Sequence, residues 1–243
     1  MLPFKYHTQK GKGSRMAQAQ RKVIGILGGM GPEATADLFA KIIRVTPAKA
    51  DQDHFQVLVF SDPLIPDRTA AIFGRGASPL PAMAAGARRL AAAGADLLAI
   101  PCVTAHHFHA ELQAGVSIPI LHIVREALRA LGERLPRARR VGLLATSGTL
   151  GARLFHREFE PAGIEILAPD AATQEATVMP ALYAVKAGDR SERPRTAIRE
   201  AAESLRALGA EAVIAGCTEV PLLLQDGDLP IPVVDATLAL ARA

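Results

Sequence analysis

Short apolar runs alternate with amphipathic stretches along most of the chain. Runs such as VIGIL at 23–27 and VGLLA at 141–145 have the length and composition of buried strands. Strands are predicted at Val23–Leu27, Gln56–Phe60, Asp96–Ile100, Pro119–Ile123, Val141–Ala145, Ile164–Leu167, Ala212–Ala215 and Ile231–Val234. Helices are predicted at Pro32–Thr46, Leu80–Ala93, Thr104–Gln113, Val124–Leu135, Thr177–Ala187 and Pro194–Leu208. Because strands that alternate with helices pair through βαβ crossovers, the pattern predicts an α/β fold with parallel sheets.

An internal repeat divides this pattern into two copies. Leu90–Thr104 reads LAAAGADLLAIPCVT, and Leu205–Glu219, 115 residues later, reads LRALGAEAVIAGCTE. A weaker match pairs IGIL at 24–27 with VGLL at 141–144, at an offset of 117 residues. Two matches at nearly the same offset indicate two copies of one unit. We therefore predict two similar doubly wound parallel-sheet domains, related by a pseudo-twofold axis, with an active-site cleft between them.

Composition changes this picture only at the N-terminus. The net charge of +4 comes from six cations within residues 1–22, and the rest of the chain carries −2. The body therefore shows no bias toward nucleic acid, and no apolar run reaches the roughly 18 residues that span a membrane. Residues 1–21 are polar and are expected to be a disordered tail. Two cysteines form at most one disulfide, which is too few for a small secreted protein held together by disulfides. A cytoplasmic protein is therefore expected.

Cys102 and Cys217 occupy equivalent positions in the two copies, just past the end of a strand. Ligands of open parallel sheets bind beyond the carboxyl ends of the strands, so we expect both thiols to face one cleft. A helix follows each cysteine, and backbone N–H groups at a helix N-terminus stabilise a thiolate. The alternatives are two buried structural cysteines or a disulfide, which would bring the Cα atoms within about 7 Å and exclude a substrate.

Two opposed thiols suit proton transfer at a stereocentre. A thiolate removes a proton from one face of the carbon, and a thiol on the other face returns one, which gives the mirror image. A hydrolase would instead need one nucleophile with its histidine and carboxylate. The cysteine pair therefore favours racemisation or epimerisation of a carbon acid.

The loop Gly28–Pro32 connects a strand to a helix and offers backbone N–H groups to an anion. Residues 145–149 (ATSGT) form the equivalent loop of the second copy and add hydroxyl groups. Residues 29–34 also fit the dinucleotide pattern G-x-G-x-x-A, but the nearest acids, Asp51 and Asp53, precede the second strand instead of ending it. We therefore interpret this loop as a carboxylate-binding site, and a nucleotide-binding site or a purely structural turn are the alternatives.

The remaining polar residues are less specific. His106, His107 and His109 cluster after Cys102, but no other group supplies the further ligands of a metal site, so no metal is expected. His106 could support the charge of a thiolate. Arg68 and Lys186 could each bind a second carboxylate, although most such cations are solvated.

The segments GGMGPEATADLF, IPDRTA, PCVTAHHF, LLATSGT, YAVKAG and AGCTEVPLLL occur in this order. Together they resemble the aspartate/glutamate racemase family, and within it the aspartate racemase branch, over residues 22–243. The resemblance implies a two-base amino-acid racemase that uses no cofactor and no pyridoxal phosphate. It also implies a homodimer and a small dicarboxylic amino acid as substrate. It implies a first domain formed by residues 22–122 with 233–243, and a second formed by 123–232.

The resemblance also assigns roles to individual residues. Cys102 and Cys217 match the catalytic pair. Met30, Gly31, Thr104, Thr146 and Thr149 match positions near the substrate's α-carboxylate. Thr218 and Glu219 match the polar pair beside the second cysteine. Arg68 and Lys186 match the cations that hold the side-chain carboxylate in the aspartate branch.

Two positions depart from the family pattern. Val103 stands where the family usually has an asparagine that donates to the substrate carboxylate, a loss worth about 1–3 kcal/mol of anion binding. Leu64 stands where the branch often has a polar residue, so a less polar pocket is expected there. A racemase for glutamate or for several amino acids, an isomerase of an unsaturated diacid, a non-catalytic small-acid binding protein and a nucleotide-binding module are the alternatives.

Overall fold

The computed structural model describes residues 22–243 and contains two parallel sheets. The first sheet comprises β1 (Ile24–Gly28), β2 (Val57–Ser61) and β3 (Leu97–Ala99) in the order β2-β1-β3. Ile24 pairs with both Val57 and Leu97, so β1 is the central strand. The predicted tail, residues 1–21, lies outside the described residues.

The second sheet repeats this arrangement. It comprises β4 (Arg140–Leu144), β5 (Glu165–Leu167), β6 (Ala212–Ala215) and β7 (Val233–Asp235), in the order β5-β4-β6-β7. The central strands β1 and β4 are the two members of the weaker repeat, and β3 and β6 belong to the stronger one. The prediction of two similar parallel-sheet α/β domains is confirmed.

Helices connect the strands and cover both sheets. They are α1 (Pro32–Val45), α2 (Arg68–Ile72), α3 (Leu80–Ala92), α4 (His109–Ala114), α5 (Ile123–Arg134), α6 (Ser147–Gly151), α7 (Leu154–Phe159), α8 (Ala171–Thr173), α9 (Met179–Lys186), α10 (Glu192–Ala207) and α11 (Ala236–Arg242). A π-helical turn, Gln174–Val178, joins α8 to α9. Among the described residues, no helix is both long and apolar enough to cross a membrane.

Burial on both faces explains the continuous apolar runs of the central strands. Val141, Leu143 and Leu144 of β4 are fully buried, as are Ile26 and Leu27 of β1. Helices pack on both faces of a parallel sheet, so neither face of such a strand can be polar. The apolar positions of α1 and α5 recur on one face for the same reason.

The chain around residue 120 departs from the predicted strand. Leu98 donates to the Pro119 carbonyl and accepts from the Leu121 N–H, which is the pattern of a parallel bridge, and the Ile120 N–H donates to the Gln113 side chain. Only an isolated bridge between Leu98 and Ile120 results. This bridge extends the first sheet where β7 extends the second.

The last residues connect the two sheets. The sequence grouped residues 233–243 with the first domain, whereas β7 pairs with β6 of the second sheet. Helix α11 then packs against both α1 and α5. Within this segment, the strand therefore belongs to the second sheet, whereas the helix packs on helices α1 and α5. The exact domain boundaries stay a prediction.

Candidate active site

Most of the predicted site residues lie just beyond the carboxyl ends of four strands. Two loops follow β1 and β3 of the first sheet, and two follow β4 and β6 of the second. These loops carry Met30, Gly31, Cys102, Thr104, Thr146, Thr149, Cys217, Thr218 and Glu219. Arg68 begins α2 and Lys186 ends α9. Both sheets thus contribute residues by the same ends of equivalent strands, where parallel sheets bind ligands.

The two cysteines are free thiols buried at the junction of the sheets. Cys102 is 4% exposed and Cys217 is 5% exposed. The Cys217 thiol donates to Glu219 Oε2 at 2.9 Å. The Thr218 hydroxyl donates to the Pro101 carbonyl at 3.3 Å, which joins the residues that adjoin the two cysteines.

Two cations lie in the electrostatic field of the thiols. Burial opposes the charge of Lys186, but Glu219, Cys217 and Cys102 outweigh this effect and raise the Lys186 pKa. Burial likewise opposes the charge of Arg68, and Cys102, Asp67 and Glu219 raise the Arg68 pKa. One ammonium group therefore interacts with both thiols, and both cations stay charged.

Arg68 is held rigidly. It is 8% exposed, and its terminal nitrogens donate to three backbone carbonyls: Ile65 at 3.2 Å, Pro66 at 3.0 Å and Met30 at 3.2 Å. Its Nε is buried and has no hydrogen-bond partner within the described chain. Met30 thus contributes to the site through its carbonyl oxygen, which orients the guanidinium group.

Three threonine hydroxyls from both sheets form a closed set of contacts. Thr104 Oγ1 lies 2.9 Å from Thr146 Oγ1 and 3.0 Å from Thr149 Oγ1, and the last two are 3.1 Å apart. Thr146 also caps α6 by accepting the Thr149 N–H. Three buried hydroxyls at one point can donate to a carboxylate once they reorient.

Helix α6 touches α2 across the junction. A Cβ built on Gly148 would lie 2.6 Å from Thr69 Oγ1, 2.9 Å from Thr69 Cα and 3.1 Å from Thr104 Cγ2. A Cβ on Gly151 would lie 2.9 Å from the Phe73 ring. Gly148 and Gly151 of α6 therefore allow the two halves to approach this closely.

The glycine loop after β1 is built on a second close approach. Gly29 has φ of +91°, and a Cβ there would lie 2.3 Å from the Asp62 backbone. Thr35 fixes the loop by accepting the Gly29 N–H at 2.9 Å and donating to the Gly31 carbonyl at 2.9 Å. A Cβ on Gly31 would lie 3.3 Å from Glu219 Oε1, so this loop reaches the second cysteine segment.

Comparison with known proteins agrees with this geometry. The model of the Asp/Glu/Hydantoin racemase family matches residues 27–243. The chain belongs to this family. Racemases are isomerases, and the family's description names aspartate, glutamate and hydantoin racemases.

Relatives of this racemase-family chain cover almost its whole length. The aspartate racemase of Picrophilus torridus is 31% identical, with a TM-score of 0.82 over 90% of this chain and 91% of that one. An aspartate racemase homologue from Pyrococcus horikoshii is 26% identical, with a TM-score of 0.71 over 91% and 96%. The broad specificity amino-acid racemase RacX of Bacillus subtilis is 27% identical over 91% of this chain and 96% of its own.

The His106 ring binds the backbone carbonyl of the first cysteine, Cys102. Its Nδ1 lies 2.9 Å from the Cys102 carbonyl, and its Nε2 lies 3.3 Å from the Ile123 N–H. Burial and the neighbouring His122 and His109 lower the His106 pKa to about 3, so the ring is neutral. The Nδ1–H then donates to the backbone carbonyl of Cys102, and Nε2 accepts from the N–H of Ile123, the first residue of α5.

The histidine cluster contains a member that the sequence reading missed. The His122 ring lies 5.2 Å from that of His106 and 4.7 Å from that of His109, between ring centroids. Burial lowers the His122 pKa to about 4. Residues 22–243 contain no group of three or more metal-ligating side chains arranged to hold a metal ion. His122 is 13 residues from His109, so local spacing gave no sign of it.

Gln174 was also missed. It begins the π-helical turn and is buried, and its Nε2 donates to the Ala145 carbonyl at 3.0 Å and to Ser147 Oγ at 3.3 Å. These two residues flank Thr146, so Gln174 fixes the threonine loop. A π-helical turn is often found near functional sites, but it has no reliable sequence pattern.

The two departures from the family pattern have different outcomes. Leu64 is 88% exposed, so its side chain faces solvent, and the expected apolar contribution to the pocket was wrong. The loop turns it outward because the Leu64 N–H is bound by Asp62 Oδ1. Val103 is buried within an apolar cluster that includes Ile123 and Phe155.

Proposed function

We propose that this chain is an aspartate racemase that uses Cys102 and Cys217 as its two bases and needs no cofactor. The observation that carries the proposal is geometric: two buried free thiols each follow an equivalent strand, and the hydrogen bond from the Thr218 hydroxyl to the Pro101 carbonyl joins the two cysteine segments. Membership of a racemase family and the 31% identity to an aspartate racemase support the reaction class.

In the proposed reaction, one thiolate removes the α-proton and leaves an enediolate. The other thiol gives its proton to the opposite face of the carbon, and the two sulfurs exchange protonation states. The α-proton of an amino acid is weakly acidic, so donors must be organised around the carboxylate before the reaction. The hydroxyls of Thr104, Thr146 and Thr149 and the N–H groups of the Met30–Gly31 loop take this role.

The second carboxylate of the substrate defines specificity in this proposal. Arg68 begins α2 and Lys186 ends α9, so the two cations come from different halves of the chain, and Arg68 Nε is left without a partner within the described chain. A dicarboxylic amino acid supplies one anion for the threonine hydroxyls and one for the cations. Thr218 and Glu219 orient the second cysteine loop.

The reaction is tested by incubating L-aspartate with the protein in deuterated water without added cofactor. Deuterium at Cα and loss of optical rotation are expected. Cys102→Ser and Cys217→Ser should each lose racemisation by about 10³-fold or more, because each thiol carries out one of the two proton transfers. A single variant with full activity would contradict the two-base mechanism.

A broad-specificity amino-acid racemase is the second candidate, favoured by the similarity to RacX and by an apolar Val103. The variant Lys186→Met distinguishes an aspartate racemase from a broad-specificity racemase. With an aspartate enzyme, the variant should lose activity on aspartate far more than on alanine or asparagine. Equal losses, or a wild type that prefers a neutral amino acid, favour the broader enzyme. A protein that exchanges no α-proton from any of these substrates is a binding module.

We also propose a homodimer and retain the division into 22–122 with 233–243 and 123–232. Light scattering after size-exclusion chromatography tests the first. Limited proteolysis tests the second, because cleavage should concentrate at the proposed boundaries.

A further inference from the structure

An ion pair joins the two halves of the chain beside the site. Arg190, in the loop that follows α9, binds the carboxylate of Glu33 in the first turn of α1. Glu33 follows the glycine loop, residues 28–32, and Arg190 lies four residues after Lys186. The pair therefore links the two segments that, in the proposed function, receive the two carboxylates of the substrate.

The same guanidinium also fixes the end of α9. Arg190 Nη1 donates to the Val185 carbonyl at 3.3 Å and to the Asp189 carbonyl at 2.9 Å, while Nη2 binds Glu33. Val185 directly precedes Lys186, so the backbone that carries the Lys186 ammonium is bound to the arginine that binds α1. A planar guanidinium holds several acceptors in fixed directions, which a lysine ammonium does not do.

Neighbouring acids do not compete for Arg190. Asp189 Oδ1 accepts a backbone N–H of its own loop at 2.7 Å and so faces that loop. Asp37, one turn further along α1, pairs with a lysine of the same helix. Within residues 22–243, Glu33 is therefore the carboxylate that pairs with Arg190.

The two segments that this pair joins contact each other at the site. A Cβ built on Gly31 would lie 3.9 Å from Lys186 Cγ and 3.3 Å from Glu219 Oε1. The stem of Lys186 therefore lies against the glycine loop. A shift of the end of α9 relative to α1 would change this approach and move the ammonium group relative to the loop.

We infer that Arg190 is a positioning residue, which joins the end of α9 to α1 and so sets the distance between Lys186 and the glycine loop. The inference rests on the proposed function, in which these two groups bind opposite ends of a dicarboxylic amino acid. Both side chains of the pair are partly exposed, and ion pairs of this kind add little to stability. The pair should therefore affect substrate binding much more than unfolding.

Arg190→Met tests the inference in steady-state racemisation of aspartate. Lys186 binds a carboxylate that takes no part in the chemistry, so it binds the substrate and the transition state alike. The variant should therefore raise KM by about fivefold to tenfold and change kcat by less than about threefold. Its urea midpoint should stay close to that of the wild type. Arg193→Met is the matched control, because Arg193 is exposed in the first turn of α10, three residues later.

Two further variants test the partner and the geometry. Glu33→Gln should raise KM as Arg190→Met does, and the double variant should match the single ones, because the same contact is lost in all three. Arg190→Lys keeps the charge but loses the planar fork, so its KM should lie between those of the wild type and Arg190→Met. The inference is overturned by single effects that multiply in the double variant, by a loss confined to kcat, or by equal KM values for Arg190→Met and Arg193→Met.

Hydrogen exchange measures the effect of the pair without a substrate. In Arg190→Met, the backbone amides of residues 29–35 and of residues 184–191 should both exchange faster than in Arg193→Met, although the substitution lies in the second segment alone. If this is found but the wild type exchanges no α-proton, the proposed function fails and the positioning of the two segments by Arg190 stands. If the wild type racemises aspartate and residues 29–35 are unaffected, the inference fails alone.

Discussion

Substitution of Gly148 by alanine should separate the two halves of the site. The added Cβ would lie 2.9 Å from Thr69 Cα and 3.1 Å from Thr104 Cγ2. The first of these atoms belongs to the backbone of α2, so rotation of a side chain cannot relieve the contact. The helix that carries Thr149 must therefore move away from Thr104.

The expected magnitude combines two opposing effects. Alanine in place of glycine favours a helix by up to about 1 kcal/mol. An extra methyl group in a tightly packed site costs about 1–3 kcal/mol. The net loss of stability should therefore be about 1 kcal/mol. The activity should fall by about 10²-fold, because displacing catalytic groups by roughly 1 Å has such effects.

Gly151→Ala is the matched control in the same helix. Its Cβ would meet only the ring of Phe73, a partly exposed side chain that can rotate away. The control gains the same helix propensity, so its stability and activity should stay close to those of the wild type. Urea unfolding and aspartate racemisation of the three proteins give the comparison. If Gly148→Ala and Gly151→Ala behave alike, the close approach of α2 and α6 does not organise the site.

Two further substitutions test groups outside the thiol pair. Lys41 is 5% exposed and bridges Asp37 at 2.5 Å and Asp235 at 2.6 Å, so Lys41→Met should cost about 2–4 kcal/mol and lower Tm by about 5–15 °C in thermal unfolding. The exposed Lys49→Met is the control, and an equal effect of both would show that the buried ion pairs contribute nothing. Because the His106 pKa is about 3 when folded and about 6.5 when unfolded, this histidine makes the folded state lose stability as pH falls below about 6.5. His106→Asn should reduce the loss between about pH 7 and pH 5 by about 2 kcal/mol in urea unfolding, and an unchanged loss would refute the buried neutral ring.

The sequence predicted the parallel sheets and the repeat because both follow from local pattern. Central strands such as β4 are buried on both faces, which forces continuous apolar runs at matching places in the two copies. The cysteine segments were placed by the same repeat, since a position after one strand has an equivalent after the other.

Other features depended on contacts between distant segments. Only the fold brings His122 against His106, and only the fold places the Gln113 side chain beside the Ile120 N–H. The partner of β7 could not be predicted, because an apolar run fits either sheet. Leu64 faces solvent through the turn made by Asp62, which hydropathy alone does not indicate.

The matching order of the two sheets has a consequence for the kind of chemistry such a chain can support. A single sheet offers a bound molecule one approach direction. Two related sheets, joined in one polypeptide, offer a bound molecule two approach directions through loops at equivalent strand ends. In the proposed reaction, the two enantiomers of a substrate would therefore meet similar groups on either side of their α-carbon.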